Sequence, residues 1–174
     1  MHHYRVTCAW TGSTGVGYEA YTRTHTATAP PAEAALTLSA DPGFRGDPAL
    51  LDPEQLLVLA AASCQLLSFL AVAARARLDV VAYDDDAVAA MPEDDLPMRI
   101  TSITLRPRIT VRSDDPSAGR SEVLVDRVHR LCEVAHRECY IANSLTTAIV
   151  IEPTVVLEPS VTRSGGFPPP DRAG

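Results

Sequence analysis

The sequence predicts an α+β domain in which helices pack against an antiparallel sheet. Three observations lead to this fold class. Segments of alternating or β-branched residues lie at both ends and in the middle of the chain, a long uncharged helix follows residue 52, and a second helix follows residue 121. The resulting order of strands, helix, strands, helix and strand is typical of an α+β domain.

Length and composition indicate one folded domain. The chain has 174 residues, of which 46% are hydrophobic, and a domain of this size buries roughly 70% of the surface that its unfolded chain exposes. We assign residues 1–163 to this domain and the Gly/Pro-rich residues 164–174 to a flexible C-terminal tail. The net charge of −7 argues against a nucleic acid or a membrane surface as partner, because phosphate groups are bound by basic surfaces.

The basic and sulfur-containing residues exclude several classes of protein. All fifteen basic residues are arginine, which excludes Schiff-base chemistry, pyridoxal enzymes and Walker-type phosphate loops, because each of them requires a lysine amine. Four cysteines are too few for a disulfide scaffold, and the first residues contain no apolar signal segment. We therefore expect a reduced, cytoplasmic protein with free thiols.

The N-terminal part of the chain carries hairpin and loop signals. Residues 3–10 and 15–28 are predicted strands, joined by a glycine-containing turn over residues 12–17. Residues 29–51 contain four turn-forming Pro or Gly dipeptides and are predicted to be a loop-rich connection.

Three further segments have strand patterns. Residues 80–89 and 98–112 are predicted strands, and Pro107 is expected to move the second of them to a sheet edge or to a bulge. Residues 146–158 are predicted to form a closing strand that is interrupted at Pro153.

The first predicted helix has strong start and stop signals. Asp52 is a good N-cap, Pro53 suits the first helical position, and Arg75 ends a run of nineteen uncharged residues over 56–74. This run is long enough to cross a membrane, but it contains three polar residues and is flanked by strands of soluble type. A helix that is apolar all round is covered on every side, so we expect it at the centre of an intertwined dimer.

The second predicted helix spans residues 121–142 and carries an apolar stripe. Four potential ligands of a soft metal, His129, Cys132, His136 and Cys139, also share one stripe. One straight helix cannot surround a tetrahedral ion with residues spread over about 15 Å. We therefore predict no metal site.

The cysteines admit two interpretations from their spacing. Cys64 lies within the first helix and Cys139 near the end of the second, where each could be a small core residue or a residue with a chemical role, such as a ligand of a soft metal. Cys8 alternates with apolar residues on a strand and is predicted to be in the core. Cys132 is predicted to be a core residue or a bystander thiol.

Several motifs carry a resemblance to a known family. They are Asp52-Pro53-Glu54-Gln55-Leu56-Leu57, Ala62-Ser63-Cys64, His136-Arg137-Glu138-Cys139 and Asn143-Ser144. In these motifs the sequence resembles the OsmC/Ohr family of thiol peroxidases, and the resemblance extends over residues 10–158. Asp52 stands where the family usually has Asn, and Tyr140 stands where many relatives have proline.

The resemblance implies a fold, a chemistry and a set of site residues. The fold would be an OsmC-like interlocked α+β homodimer, with antiparallel sheets packed around two long central helices per chain. Cys64 would be the peroxidatic thiolate and Cys139 the resolving cysteine, and Glu54 would orient a catalytic arginine. We prefer Arg45 for that arginine because it precedes the Pro-Glu helix start, and Arg23 is the alternative. The resemblance also implies a lipoyl or thioredoxin-like dithiol as reductant, with no metal or organic cofactor.

The helix geometry constrains such a site. A thiolate is the form of cysteine that attacks a peroxide, and burial disfavours it, so a fixed cation beside Cys64 is expected. Ten residues of straight helix separate Glu54 from Cys64 by about 15 Å. Either the helix is broken between them or Glu54 serves the Cys64 of the partner subunit, and we predict the second. An apolar pocket that favours organic hydroperoxides is predicted from Leu66, Leu67, Phe69, Leu70 and Tyr140.

The leading hypothesis is therefore a cytoplasmic, homodimeric thiol peroxidase. It would reduce organic hydroperoxides through a Cys64 sulfenic acid and a Cys64–Cys139 disulfide. The alternative is a non-enzymatic thiol redox switch, or a dimer of the same fold that binds a small ligand.

Overall fold

The computed structural model describes residues 1–113 and 118–159 and confirms the α+β class. The tail predicted at 164–174 lies outside the described residues. The elements are β1 Thr7–Ala9, β2 His25–Thr28, β3 Ala35–Leu38, α1 Pro53–Arg75, β4 Val80–Asp85, β5 Val88–Ala90, β6 Ser102–Leu105, β7 Pro107–Ser113, α2 Ala118–Glu138, α3 Tyr140–Ser144, β8 Ala148–Ile151 and β9 Thr154–Pro159, with short 3₁₀ turns at Thr14–Val16 and Pro42–Phe44.

The described strands form three sheets of three strands each. Their orders are β1-β2-β3, β4-β7-β9 and β5-β6-β8. The prediction of antiparallel sheets is wrong for two strand pairs, because β6 pairs with β8, and β7 with β9, in parallel. The helices α2 and α3 lie between the members of each pair and return the chain in its original direction, as parallel pairing requires.

The predictions for the N-terminal part are wrong in three places. Only the last four residues of the segment predicted as a strand over 15–28 are a strand, because Gly17 turns the chain with a φ of 94° after a 3₁₀ turn. The predicted loop over 29–51 contains β3, which pairs antiparallel with β2. Cys8, predicted to be in the core, is exposed on β1. The reason is that no residue before Leu38 is buried, so the rest of the chain leaves this sheet uncovered.

The later strands are divided more finely than predicted. Residues 80–89 give β4 and β5, which belong to different sheets, and residues 98–112 give β6 and β7, separated by Arg106. Pro107 does not move β7 to an edge, because β7 is the central strand of its sheet. Proline is tolerated as the first residue of β7, since the pairing with β9 begins one residue later. The predicted interruption at Pro153 is confirmed between β8 and β9.

Helix α1 is confirmed, with a capping box at its start. The Asp52 carboxylate accepts a hydrogen bond from the Gln55 amide at 2.7 Å, and the Gln55 side-chain oxygen accepts one from the Asp52 amide at 3.3 Å. By length and composition α1 could cross a membrane, a test that the core helices of soluble proteins also pass. Within this chain only 28% of its most apolar stretch is buried. The single chain therefore covers one face of α1 and leaves the other open.

Two apolar clusters hold the buried face of α1. Phe69, Val72 and Ala73 pack with residues of α2 and of the sheet β4-β7-β9, whereas Ala61 packs with Ile103 and Leu105 of β6. Phe69 was predicted to line a pocket, but it is fully buried and packs against the Tyr83 ring at 5.8 Å between centroids. Cys132 is confirmed as a core residue of the first cluster.

Candidate active site

Cys64 lies in the middle of α1, where the helix borders a surface cavity of about 840 Å³. The thiol is half-buried. Apolar side chains from α1 and α3 line most of the cavity, and charged side chains lie at one end. The lining residues are Ala60, Ser63, Cys64, Leu67, Ser68, Ala71, Arg75, Arg137, Glu138, Tyr140, Ile141 and Asn143. Of the five residues predicted to line a pocket, only Leu67 and Tyr140 line this one.

Cys139 lies at a break between two helices. The prediction of one helix over 121–142 is wrong at this point, because α2 ends at Glu138 and Cys139 takes an extended conformation. Its sulfur accepts a hydrogen bond from the Ala142 amide at 3.4 Å and thereby acts as the N-cap of α3. The break turns the Cys139 side chain into the protein, where its exposure is 1%.

The break brings the two cysteines together. The Ile141 amide donates to the Cys64 sulfur at 3.5 Å, and the thiols of Cys64 and Cys139 are hydrogen-bonded to each other. Both cysteines are free thiols in this structure. One half-buried sulfur thus faces the cavity while a fully buried sulfur lies directly behind it.

The surroundings make the two thiols chemically different. Burial raises the pKa of Cys64, but hydrogen bonds from the Cys139 thiol, the Ile141 and Tyr140 amides and the Ser68 hydroxyl outweigh burial, so the pKa of Cys64 lies below its ordinary value. Burial, followed by the bond to Cys64, raises the pKa of Cys139 to about 11. Cys64 is therefore the better nucleophile, and Cys139 is the proton donor of the pair.

A third cysteine provides a contrast to this pair. Burial and the nearby Glu133 carboxylate raise the pKa of Cys132 to about 12. Cys132 is 3% exposed and lies within the first apolar cluster. It has the properties of an inert core thiol.

The predicted arginines do not line the Cys64 cavity of their own chain. Arg45 follows the second 3₁₀ turn with a left-handed φ of 67° and forms an ion pair with Glu19. Arg23 donates to the carbonyl of Tyr18 at 2.6 Å, and its guanidinium lies 3.8 Å from the centre of the Tyr21 ring. The arginines beside the Cys64 cavity are Arg75, which is paired with Glu138, and Arg137.

Glu54 also lies apart from Cys64. It occupies the first turn of α1 and borders a second cavity, of about 530 Å³, together with Asp41, Asp52 and Asp85. Because α1 is continuous from Pro53 to Arg75, a break between Glu54 and Cys64 is excluded. Glu54 and Cys64 of one chain therefore belong to different cavities.

Comparisons with known proteins identify the family. The sequence profile of the OsmC-like proteins matches residues 46–154, which is more than half of the chain. The chain belongs to the OsmC-like family.

Solved structures share this OsmC-like fold. An OsmC-like protein of unknown function from Vibrio cholerae is 26% identical, with a TM-score of 0.77 over 88% of this chain and 100% of that one. An organic hydroperoxide resistance protein from Elizabethkingia anophelis is 16% identical, with a TM-score of 0.62 over 91% and 98%. An OsmC-like protein from Mycoplasma pneumoniae is 16% identical, with a TM-score of 0.63 over 90% and 97%. No curated protein matches the sequence.

The OsmC-like site contains donors that the sequence analysis missed. The amides of Tyr140 and Ile141 reach Cys64 because the helix is interrupted at Cys139, and no strong local sequence signal predicts that interruption. Ser68 could have been found, since it lies one helical turn after Cys64. In the ranges 1–113 and 118–159 no three His, Cys, Asp or Glu side chains are arranged to hold a metal ion.

Proposed function

We propose that this OsmC-like chain is a thiol-dependent peroxidase that reduces organic hydroperoxides. One observation carries the proposal: the Cys64 sulfur opens on an apolar cavity, while the Cys139 thiol donates a hydrogen bond to it from behind. A stabilised thiolate next to a second, protonated thiol is the arrangement that a two-cysteine peroxide reduction requires.

The proposed first step is attack by the Cys64 thiolate on the terminal oxygen of the hydroperoxide. A sulfur–oxygen bond forms and the oxygen–oxygen bond breaks, which leaves Cys64 as a sulfenic acid and releases an alkoxide that takes a proton to become the alcohol. The Cys139 thiol then loses its proton and its sulfur attacks Cys64. The disulfide forms, and the sulfenic oxygen leaves as water. The two thiols are oxidised by two electrons, and the peroxide is reduced by two.

The lining of the cavity supports an organic peroxide as substrate. Leu67, Ala71, Tyr140 and Ile141 border the cavity and would contact a hydrocarbon group. Burial of an apolar group stabilises a complex by roughly 25 cal/mol per Å², a contribution that hydrogen peroxide cannot make. We therefore expect a bulky hydroperoxide to be reduced more efficiently than hydrogen peroxide.

We also propose that the active form is a homodimer. Leu59, Leu67 and Leu70 follow one face of α1 and are 55%, 63% and 39% exposed in the single chain. The N-terminal sheet likewise buries no residue before Leu38, and an isolated small sheet without a covered face is marginal in water. A second copy of the chain would cover both surfaces.

In this dimer each site would be composite. The continuous α1 keeps Glu54 away from the Cys64 of its own chain, so we assign Glu54 to the site around the Cys64 of the partner subunit. We assign Arg45 to the same site, and Arg23 is the alternative arginine. A heterodimer of a Glu54→Ala chain and a Cys64→Ser chain tests this assignment. It contains one site with Glu54 and Cys64 both intact and should regain about half of the parent activity. A heterodimer as inactive as either homodimer would contradict the composite site.

The cycle closes with a dithiol. We propose a lipoyl or thioredoxin-like reductant and a cytoplasmic location, because a compartment that keeps thiols reduced would regenerate both cysteines. The proposed cycle requires no metal and no organic cofactor.

Turnover of cumene hydroperoxide with dihydrolipoamide as reductant tests the proposed activity. The parent chain should consume many equivalents of peroxide, and Cys64→Ser and Cys139→Ser should not. Cys132→Ala is the matched control, since it changes a cysteine of α2 outside the pair and should keep turning over. Oxidation that stops after one equivalent in the presence of reductant would refute the peroxidase and favour the redox switch.

A further inference from the structure

One of the groups that lower the pKa of Cys64 lies on α1 itself. Of the four groups whose hydrogen bonding lowers the pKa of Cys64, three belong to Cys139 and the start of α3, and the fourth is Ser68, which lines the same cavity as Cys64. Ser68 follows Cys64 by four residues, about one turn of the helix. Side chains of an α-helix lean towards its N-terminus, so a residue at position i+4 leans onto residue i. The helix geometry thus directs Ser68 to Cys64.

The same helix offers a comparison residue. Ser63 also borders the cavity of about 840 Å³, but it precedes Cys64 by one residue. Adjacent residues of a helix do not face each other, and Ser63 is not among the groups that lower the pKa of Cys64. Of the two serines that line this cavity, only Ser68 is therefore placed to face the Cys64 sulfur.

We propose that Ser68 is a further catalytic residue, whose hydroxyl donates a hydrogen bond to the Cys64 sulfur and holds it as the thiolate that attacks the peroxide. This inference rests on the proposed function for the identity of the reaction. The hydroxyl is a neutral donor on the same rigid helix as its acceptor, so it keeps its position when Cys139 moves to form the disulfide. It stabilises the negative charge on sulfur without the desolvation of a second ion.

Replacement of Ser68 tests the inference through the titration of Cys64. We would measure the pH dependence of Cys64 alkylation by iodoacetamide, read from the mass of the Cys64 peptide. Ser68→Ala should raise the midpoint by about half a unit to one unit, because one hydrogen bond to a charged group is lost. Alkylation below the midpoint should then fall about three- to tenfold, by the same relation between pKa and thiolate fraction. Alanine is the best helix former, so the variant should keep α1 intact.

Two further variants make the test specific. Ser68→Thr keeps the hydroxyl and should restore the midpoint, and Ser63→Ala removes the comparison hydroxyl and should leave the midpoint unchanged. A Ser68→Ala midpoint equal to that of the parent would overturn the inference, and so would an equal shift in Ser63→Ala.

The titration does not depend on peroxide turnover. A shifted midpoint in a protein that never turns over peroxide would support the Ser68–Cys64 bond and refute the proposed peroxidase. Full turnover by the parent with an unshifted Ser68→Ala midpoint would refute only the role of Ser68.

Discussion

Replacement of Cys139, which is not itself the nucleophile, should change the pKa of Cys64. The Cys139 thiol donates to the Cys64 sulfur, and the Cys139 sulfur accepts from the Ala142 amide. Cys139→Ala removes both interactions, whereas Cys139→Ser keeps a donor and an N-cap. Neither variant can form the disulfide, so the pair of variants separates the hydrogen bonds from the redox step.

The expected magnitudes follow from these two contacts. A hydrogen bond to a charged group contributes about 1.5–3 kcal/mol, and water that enters the cavity would replace part of it. We therefore expect Cys139→Ala to raise the pKa of Cys64 by about one unit, which corresponds to about 1.4 kcal/mol. Loss of the cap should lower the free energy of unfolding by about 1 kcal/mol. Cys139→Ser should remain close to the parent in both quantities.

The assay is the pH dependence of iodoacetamide alkylation at the Cys64 peptide, together with urea unfolding. A depressed pKa of Cys64 means that the parent thiolate persists to lower pH. As the pH falls, Cys139→Ala should lose its alkylation at Cys64 at a higher pH than the parent does. Equal alkylation midpoints in the alanine variant, the serine variant and the parent would refute the reasoning.

Three further predictions concern the fold and the dimer. Phe69→Ala should lower the free energy of unfolding by about 3–5 kcal/mol in urea titrations, because the ring is fully buried against Tyr83; a loss below about 1 kcal/mol would contradict this packing. Asp52→Ala should cost about 1 kcal/mol by the same measurement, and Asp52→Asn much less, because Asn also caps a helix; equal losses would argue against the capping box. Leu70→Asp should weaken the proposed dimer at least about tenfold in sedimentation velocity, since it puts a charge in place of an apolar side chain that the second copy would cover; an unchanged association constant would place Leu70 outside the interface.

The sequence predicted those elements whose signals are local. The N-cap Asp52, Pro53 at the first helical position and the final Arg75 lie within α1 or next to it, so the bounds of this helix follow from adjacent residues. The class α+β and the interruption at Pro153 were predictable for the same reason.

The remaining features depend on contacts between distant segments. The parallel pairing of β6 with β8 arises from the path of the chain through α2 and α3, which no single segment encodes. The break at Cys139 accompanies a contact of the Ile141 amide with Cys64, which lies 75 residues before Cys139 in the sequence. The positions of Arg45 and Glu54 relative to the Cys64 of a partner depend on a second chain.

Cys64 and Cys139 are proposed to act as one redox pair, and disulfide mapping shows whether they do. Intact-mass measurement and peptide mapping would be carried out before and after one equivalent of cumene hydroperoxide. We predict the loss of two hydrogens, a Cys64–Cys139 link within one chain, thiols unchanged at Cys8 and Cys132, and full reversal by dihydrolipoamide. Unchanged thiols at Cys64 and Cys139, or a disulfide that joins Cys64 to another cysteine, would show that these two cysteines are not a redox pair.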